Sequence, residues 1–287
     1  MNIEVAIPCY NEELSVGKVV RDFQKALPGH AIVVYDNNST DHTAERAREA
    51  GARVVPVPGQ GKGVVVRTIF ETTKASIVVL VDGDDTYEAE DVNKLIAPVV
   101  AGEADMVIGT RLHNNPEEFR AMHHFGNRLL TGTLNSLYRT EHQDILSGYR
   151  AFSRRFIEHL PLISTGFEIE TELLIQAHEQ NFGVREVPIR FRDRPPGSFS
   201  KLNSFRDGYR ILLTMITLLR DHRPLLTFTV LAALTFAAGV IIWLVGLRPA
   251  GVVVMMAAFG LQLAGLVLNT INVRMRELMS LQRRGKL

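Results

Sequence analysis

Three carboxylates stand together in the turn that follows a short apolar run, and their spacing points to cation chemistry. The run Ile77–Val81 ends abruptly in Asp82, Gly83, Asp84 and Asp85. Like charges this close repel one another and lose hydration near a core, so we expect a cation to offset the cost. Asp82 and Asp84 flank one glycine, which lets both carboxylates face one side. Such oxygen ligands suit Mg²⁺ or Mn²⁺ and leave coordination positions for a diphosphate leaving group, whose charge the metal would neutralise.

Two other motifs are weaker alternatives for metal or phosphate chemistry. An EF-hand loop requires glycine at its sixth position and glutamate at its twelfth, but this chain has Tyr87 and Asn93 there. A solvated acidic turn without a ligand stays open on these residues alone. The segment 59–63 (GQGKG) lacks the hydroxyl residue of a P-loop and the third glycine of a dinucleotide motif. Alone it indicates only a tight turn that opens a helix.

Alternating strand and helix patterns place the acidic turn in a doubly wound sheet. Short apolar runs predict five strands, with helices of regular apolar spacing between them. The strands are predicted at Ile3–Pro8, Ala31–Asp36, Arg53–Val57, Ile77–Val81 and Met106–Thr110. This alternation favours an α/β fold with a mainly parallel, Rossmann-like sheet. Further helices are expected near 120–138 and 168–180, and a further strand at Val184–Phe191.

Polar segments follow the carboxyl ends of the predicted strands. They read PCYNEE, YDNNSTD, GQGKG, DGDDTY and GTR. Ligands of open α/β sheets bind at that edge, because the loops after parallel strands converge there. The five segments therefore predict a binding site for a nucleotide-type ligand.

The C-terminal part carries two uncharged segments, Leu225–Gly246 and Val252–Ile271. Each has about the 20 residues that a transmembrane helix requires, and the intervening LRPAG predicts a hairpin. A pair of buried core helices is the alternative, although soluble helices are seldom apolar all round. Basic residues lie at 206–223 and 274–286, whereas the loop has only Arg248. This asymmetry predicts an integral membrane protein with two spans, whose N-terminal domain and both termini are cytoplasmic.

Composition narrows the class further. The formal net charge is +1, so no global field favours nucleic acid as a partner. Cys9 is the only cysteine, which excludes an internal disulfide and favours a reducing, cytosol-facing location. The N-terminus has no basic-then-apolar leader, so a cleaved signal peptide is not expected. Residues 201–223 mix basic and apolar side chains and predict an interfacial amphipathic helix.

Several motifs together resemble the family 2 glycosyltransferases of GT-A fold, and more narrowly their polyprenyl-phosphate branch, typified by dolichyl-phosphate mannose synthase. In chain order they are IPCYNEE, VYDNNSTD, GKG, VDGDDTY, DILSGYRAF, FEIETELLIQA and RPPGSFSKL. The two C-terminal spans resemble those of bacterial polyprenyl-phosphate glycosyltransferases. The resemblance implies a GT-A domain at 1–200, an interfacial region at 201–223, a membrane hairpin at 224–273 and a basic cytoplasmic tail at 274–287.

The same resemblance implies roles for individual residues. Those expected to bind the nucleotide sugar are Pro8, Tyr10, Glu12, Asp36, Lys62, Asp82, Gly83, Asp84, Arg194 and Lys201. Those expected around the metal are Asp82, Asp84 and Thr86, where Thr86 replaces a glutamine common in relatives. Arg111 and Arg128 are expected to face the acceptor phosphate, although Arg128 could instead pair with a surface acid. Asp144 is the carboxylate expected on the acceptor side, and these three residues with Asp84 form the expected catalytic group.

The implied reaction is inverting transfer of one sugar from a GDP- or UDP-linked donor to a membrane polyprenyl (dolichyl or undecaprenyl) phosphate, with Mg²⁺ or Mn²⁺ as cofactor. A phosphate monoester has a second pKa near 6, so a strong general base is less necessary than for a hydroxyl acceptor. A polysaccharide synthase of the same fold is one alternative, but its Gln-x-x-Arg-Trp motif is missing and Trp243 lies in a predicted span. A non-catalytic nucleotide-binding membrane anchor is the other, and the intact acidic motif disfavours it. The sugar and a homo-oligomeric state stay open.

Overall fold

The computed structural model describes residues 1–112, 121–201 and 204–283. It divides into two compact units, Met1–Met215 and Ile216–Leu287. The first unit is an α/β domain built on a seven-stranded sheet. Its elements are β1 (Ile3–Cys9), α1 (Val16–Ala26), β2 (Ala31–Asp36), α2 (Thr43–Glu49), β3 (Arg53–Pro56), α3 (Lys62–Thr72), β4 (Ile77–Leu80), α4 (Val92–Val100), β5 (Met106–Leu112), α5 (Ala121–Tyr138), β6 (Arg150–Ser153), α6 (Arg154–His159), α7 (Ile169–Glu179) and β7 (Val184–Arg190), with a short 3-10 helix at Ala89–Asp91 before α4.

Apolar periodicity explains most of these elements. In α1 the buried residues Val16, Val19, Val20 and Phe23 recur at helical spacing and form one face, which packs in the core beside the sheet. All four residues of β4 are buried, as a strand covered on both faces requires. Each fully buried side chain of this size contributes about 1.5–3 kcal/mol, so the centre of the sheet is its most stable part.

The sheet has the strand order β3-β2-β1-β4-β6-β5-β7. Six strands run parallel, and β6 runs antiparallel to both of its neighbours, β4 and β5. The prediction of a mainly parallel sheet is confirmed, but β6 was not predicted from the sequence. Because Leu80 pairs with Arg150, the chain enters β6 from the edge at which the parallel strands end. The segment before Arg150 is thereby brought to that edge.

The chain continues through α8 (Ser204–His222), α9 (Pro224–Leu244) and α10 (Arg248–Arg283). The predicted interfacial region 201–223 is thus largely a helix. The predicted loop LRPAG is shorter than expected, because α10 already begins at Arg248. Pro249 falls in the first turn, where proline's missing N–H leaves no helical hydrogen bond unmade. The tail predicted for 274–287 is helical as far as Arg283.

Two helices, Pro224–Leu244 and Arg248–Met275, are long and apolar enough to cross a membrane. Only 11% and 17% of their most apolar windows are buried, which disfavours the alternative of core helices. They pack closely because glycines line the contact. A Cβ at Gly251 would lie 2.7 Å from the Gly239 carbonyl oxygen.

Candidate active site

The acidic turn lies at the carboxyl end of β4, beside β1. A Cβ on Gly83 would lie 2.4 Å from the Cys9 Sγ, so only glycine lets the turn lie this close to β1. The Ser15 hydroxyl donates to the Gly83 carbonyl oxygen at 2.7 Å. Asp85 has a φ of 61° and pairs with Lys18 at 2.9 Å and Arg192 at 2.5 Å. Asp85 is therefore paired with these two basic residues and is not grouped with Asp82 and Asp84, the predicted metal ligands.

The Asp84 carboxylate is buried and fully engaged. Its Oδ1 accepts hydrogen bonds from the Thr86 hydroxyl at 2.7 Å and the Thr86 backbone N–H at 3.2 Å. Its Oδ2 lies 2.5 Å from Arg194 Nη2. Thr86 therefore orients Asp84 in this structure, and its predicted role as a metal ligand stays a prediction.

Lys62 links the neighbouring carboxylate to a third helix. Its Nζ lies 2.6 Å from Asp82 Oδ1 and 2.6 Å from Glu170 Oε1. Burial alone would lower the pKa of Lys62, but the charges of Asp82 and Glu170 outweigh it and raise that pKa. A Cβ at Gly148 would lie 2.3 Å from Asp82 Oδ2. The loop before β6 thus closes one side of the site.

The segment Asp193–Lys201, here called the strap, covers another side. Lys201 Nζ lies 2.5 Å from Glu12 Oε1 and donates to the Asn11 carbonyl oxygen at 2.9 Å. Arg194 Nη1 donates to the Phe199 carbonyl oxygen at 3.0 Å. Gly197 has a φ of 90°, as the turn formed by the run Pro-Pro-Gly-Ser requires. The strap brings both of its predicted donor-site cations onto the acidic cluster.

The charge balance of this cluster fits a divalent cation. The four carboxylates Glu12, Asp82, Asp84 and Glu170 face the three cations Lys62, Arg194 and Lys201. Burial raises the pKa of Glu12, Asp84 and Glu170, and neighbouring acids raise it further in spite of these cations. Over the described residues no group of three or more His, Cys, Asp or Glu could hold a metal. Asp82 and Asp84 stay the predicted oxygen ligands, and the others would come from substrate.

The residues predicted to bind the nucleoside lie at the adjacent ends of β1 and β2, where Cys9 pairs with Asp36. Pro8 and Tyr10 are half-buried there. Asp36 Oδ1 is buried without a hydrogen-bond partner in the described part of the chain, which leaves an acceptor for a ligand donor.

The GKG glycines serve packing, because a Cβ on Gly61 would lie 2.1 Å from the Thr165 carbonyl oxygen.

Asp144 and Arg111, both predicted to lie on the acceptor side, form one buried ion pair. Arg111 Nε donates to Asp144 Oδ2 at 2.6 Å, and Arg111 Nη2 donates to Asp144 Oδ1 at 2.7 Å. The Asn127 amide adds a bond of 3.2 Å to Asp144 Oδ1. Burial would raise the pKa of Asp144, but Arg111 outweighs it and that pKa is lowered. Asp144 is thus a fixed, ionised partner of Arg111 and a poor general base at neutral pH.

Arg128 follows Asn127 in α5 and is exposed. It lines an open groove of about 410 Å³. The other lining residues are Leu129, Gly132, Thr133, Ser136 and Leu137. Its guanidinium is accessible to an incoming ligand, as an acceptor-binding role requires.

Sequence reasoning missed the roles of Glu170 and Arg150. Arg150 is fully buried and donates to the carbonyl oxygens of Ser147 at 2.9 Å, Ile145 at 2.8 Å and Glu170 at 2.8 Å. It therefore joins the loop before β6 to the first turn of α7. The signal in the sequence was a lone arginine in the run GYRAF and alternating glutamates in the run FEIETELLI.

Comparisons with known proteins agree with this architecture. The profile of "Glycosyl transferase family 2" matches residues 4–160. The chain is 36% identical over 226 residues to glycosyltransferase AglJ of Haloferax volcanii, covering 78% of this chain and 74% of that protein. It is 30% identical over 223 residues to a dolichyl-phosphate hexose transferase of the same organism, covering 77% of this chain and 96% of that protein.

Solved structures share the fold. Glucosyl-3-phosphoglycerate synthase from Mycobacterium tuberculosis, in complex with Mn²⁺, uridine diphosphate and phosphoglyceric acid, aligns with a TM-score of 0.62 and 25% identity. The alignment covers 77% of this chain and 78% of that chain. Another complex of that synthase holds Mn²⁺ and UDP-glucose and aligns with a TM-score of 0.63 at 24% identity, over 76% of this chain and 79% of that chain. The GT-A fold expected from the motifs is confirmed.

Proposed function

Because this chain belongs to glycosyl transferase family 2 and is a glycosyltransferase, we propose that it transfers one sugar, with inversion, from a GDP- or UDP-linked donor to a polyprenyl phosphate. The observation that carries the proposal is the acidic cluster at the carboxyl edge of the sheet, where Asp82 and Asp84 face Lys62 and Arg194. This cluster has the charges needed to bind a diphosphate together with a divalent cation. A dolichyl-phosphate hexose transferase among the relatives supports the choice of acceptor.

On the donor side, Asp82 and Asp84 would hold Mg²⁺ or Mn²⁺. Such an ion, when bound, neutralises charge on the diphosphate leaving group. Arg194 and Lys201 bind the diphosphate from the strap, which already lies over the cluster. Asp36 accepts a hydrogen bond from the nucleoside, as its unpaired buried oxygen suggests. The Mn²⁺ and UDP complexes of the related synthase support this arrangement.

On the acceptor side, the nucleophile is a phosphate oxygen that is already largely anionic at neutral pH. No strong base is needed, which agrees with an Asp144 that is held ionised by Arg111. Arg128 binds the phosphate by charge-assisted hydrogen bonds from the exposed face of α5. Catalysis then rests on position and on electrostatic stabilisation of the leaving group.

The two apolar helices would anchor the chain in the bilayer, where a polyprenyl phosphate resides. The basic residues at both outer ends and the single Arg248 between the spans support cytoplasmic termini and a cytoplasmic catalytic domain. An anchored protein meets its lipid acceptor by diffusion within the membrane.

The test is a transfer assay with the full-length protein in detergent micelles that contain dolichyl or undecaprenyl phosphate. Radiolabelled GDP- and UDP-linked glucose, mannose and N-acetylglucosamine are supplied one at a time, and lipid-extracted product is identified by mass and by the anomeric configuration of its sugar. We expect a single β-linked sugar on the lipid from one α-linked donor. A polymer would identify a polysaccharide synthase instead. Nucleotide binding without any transfer would identify a non-catalytic anchor.

A further inference from the structure

Two basic side chains form ion pairs with Asp82 and Asp84, the two carboxylates proposed to bind a divalent cation. Lys62 Nζ lies 2.6 Å from Asp82 Oδ1, and Arg194 Nη2 lies 2.5 Å from Asp84 Oδ2. Together these side chains carry two positive charges, which equals the charge of one divalent ion. These side chains therefore compensate much of the charge of the acidic pair, although Lys62 is shared with Glu170 at the same distance.

The same oxygens cannot serve both kinds of cation. Asp84 Oδ1 accepts two hydrogen bonds from Thr86, so Oδ2 is the oxygen better placed to bind a cation. Arg194 forms an ion pair with that oxygen. On the other carboxylate, Oδ1 is held by Lys62, and Oδ2 faces Gly148. Metal uptake through Asp84 Oδ2 therefore requires Arg194 to give way, and uptake through Asp82 Oδ1 requires Lys62 to give way.

The two basic side chains differ in where they can go. The Arg194 side chain is 29% exposed and sits on the surface strap, whereas the Lys62 side chain is only 9% exposed. Arg194 can swing away without opening the core. Lys62 is largely shielded from water, and a buried ammonium without a partner is strongly unfavourable. It needs a second carboxylate, and Glu170 Oε1 lies 2.6 Å from its Nζ.

We propose that the donor site works by cation exchange, an inference that rests on the proposed function. When Asp82 and Asp84 take up a divalent cation with the nucleotide, Asp84 releases Arg194 to the donor diphosphate. Asp82 releases Lys62, which Glu170 retains. Glu170 is then a positioning residue, and Arg150 fixes it by donating to its carbonyl oxygen at 2.8 Å.

The exchange predicts opposite shifts for two ligands in one variant. Mn²⁺ binding without nucleotide is measured by electron paramagnetic resonance on the full chain in detergent, and UDP and GDP binding by calorimetry in saturating Mn²⁺. Arg194→Gln should bind Mn²⁺ alone about tenfold more tightly, equivalent to about 1.4 kcal/mol. It should bind the preferred nucleotide about tenfold more weakly, because the guanidinium no longer meets the diphosphate.

Arg192→Gln is the matched control, because Arg192 pairs with Asp85 at 2.5 Å in the same turn but not with a predicted metal ligand. It should leave both affinities unchanged. An unchanged or weaker Mn²⁺ affinity in Arg194→Gln, or an equal gain in Arg192→Gln, would overturn the exchange. Melting curves of each variant show whether it is folded.

Glu170→Gln tests the other half of the exchange. Lys62 then stays on Asp82, and Mn²⁺ binding should weaken about tenfold. The double variant Lys62→Met, Glu170→Gln removes the competitor without changing the net charge and should restore at least the original affinity. If the double variant binds Mn²⁺ as weakly as Glu170→Gln, Glu170 acts through its own charge and the positioning role is wrong.

These measurements need neither acceptor nor turnover. Opposite shifts in a chain that transfers no sugar to polyprenyl phosphate would keep the exchange and refute the proposed acceptor. Lipid-linked sugar formed by a chain without the opposite shifts would refute the exchange and keep the proposed function.

Discussion

Gly148→Ala provides a sharp test of the donor-site geometry. The new Cβ would lie 2.3 Å from Asp82 Oδ2, 2.8 Å from Asp82 Cγ and 2.9 Å from Lys62 Nζ. Ordinary contacts of a Cβ begin at 3.4 Å, so the Asp82 carboxylate must move by roughly 1 Å. A misplacement of about 1 Å can reduce a rate by about a hundredfold. Overpacking of this size destabilises a fold by about 1–3 kcal/mol, which the large core should tolerate.

We therefore expect kcat/KM for the nucleotide sugar to fall about a hundredfold while the protein stays folded. The assay combines initial rates with Mn²⁺ titration and a melting curve. Gly208→Ala is the control, because a Cβ there meets nothing within 4 Å and alanine favours the helix by about 1 kcal/mol. Full activity and unchanged Mn²⁺ affinity in Gly148→Ala would show that Asp82 is not held where the structure has it.

Four further outcomes are expected. EDTA should abolish transfer, and Mg²⁺ or Mn²⁺ should restore it. Asp84→Ala should be folded but inactive. Full turnover by this variant would refute the metal hypothesis. Burial and Asp82 raise the pKa of Asp84, so its ionisation destabilises the fold as pH rises above the ordinary carboxylate pKa. The increase in Tm with Mn²⁺ should therefore become larger as pH rises through this range. Arg128→Ala should raise the apparent KM for polyprenyl phosphate about ten- to hundredfold, with little change in the KM for the nucleotide sugar. Arg128→Lys should restore the KM for polyprenyl phosphate only partly. A rise in the nucleotide-sugar KM alone would indicate that Arg128 belongs to the donor site. In sealed vesicles with the cytoplasmic face inside, an external reagent should label only a cysteine placed at Arg248, and labelling of a terminal tag would reverse the topology.

Six of the seven strands, and the convergence of the polar segments at one edge of the sheet, could be predicted from the sequence because they follow from local patterns. Runs such as Ile77–Val81 are apolar and short, and the polar segments after them converge by topology alone. The strand β6 could not be predicted in this way. It has four residues and begins with Arg150. The burial of the Arg150 side chain depends on three carbonyl oxygens that only the folded chain supplies.

Partners within the site were equally hidden. Arg111 and Asp144 were both singled out from the sequence, but their mutual ion pair depends on the antiparallel entry of β6. Glu170 lies 108 residues from Lys62, and no pattern of spacing links them. Residue types therefore indicated the chemistry, whereas the pairing of charges required long-range contacts.

The insertion of β6 between β4 and β5 also sets an order in which the domain can be completed. The first four strands are neighbours in the order β3-β2-β1-β4 and pair with one another without any later strand between them, so they can form a sheet while later residues are still being synthesised. β5 has to wait, because it has no ladder with β4 and joins the sheet only through β6, which begins at Arg150. Until then β4 is an open edge with an apolar sequence, the kind of edge that invites aggregation. The chain is therefore most prone to aggregation while the residues between β4 and β6 are being synthesised, before β6 can pair with that edge.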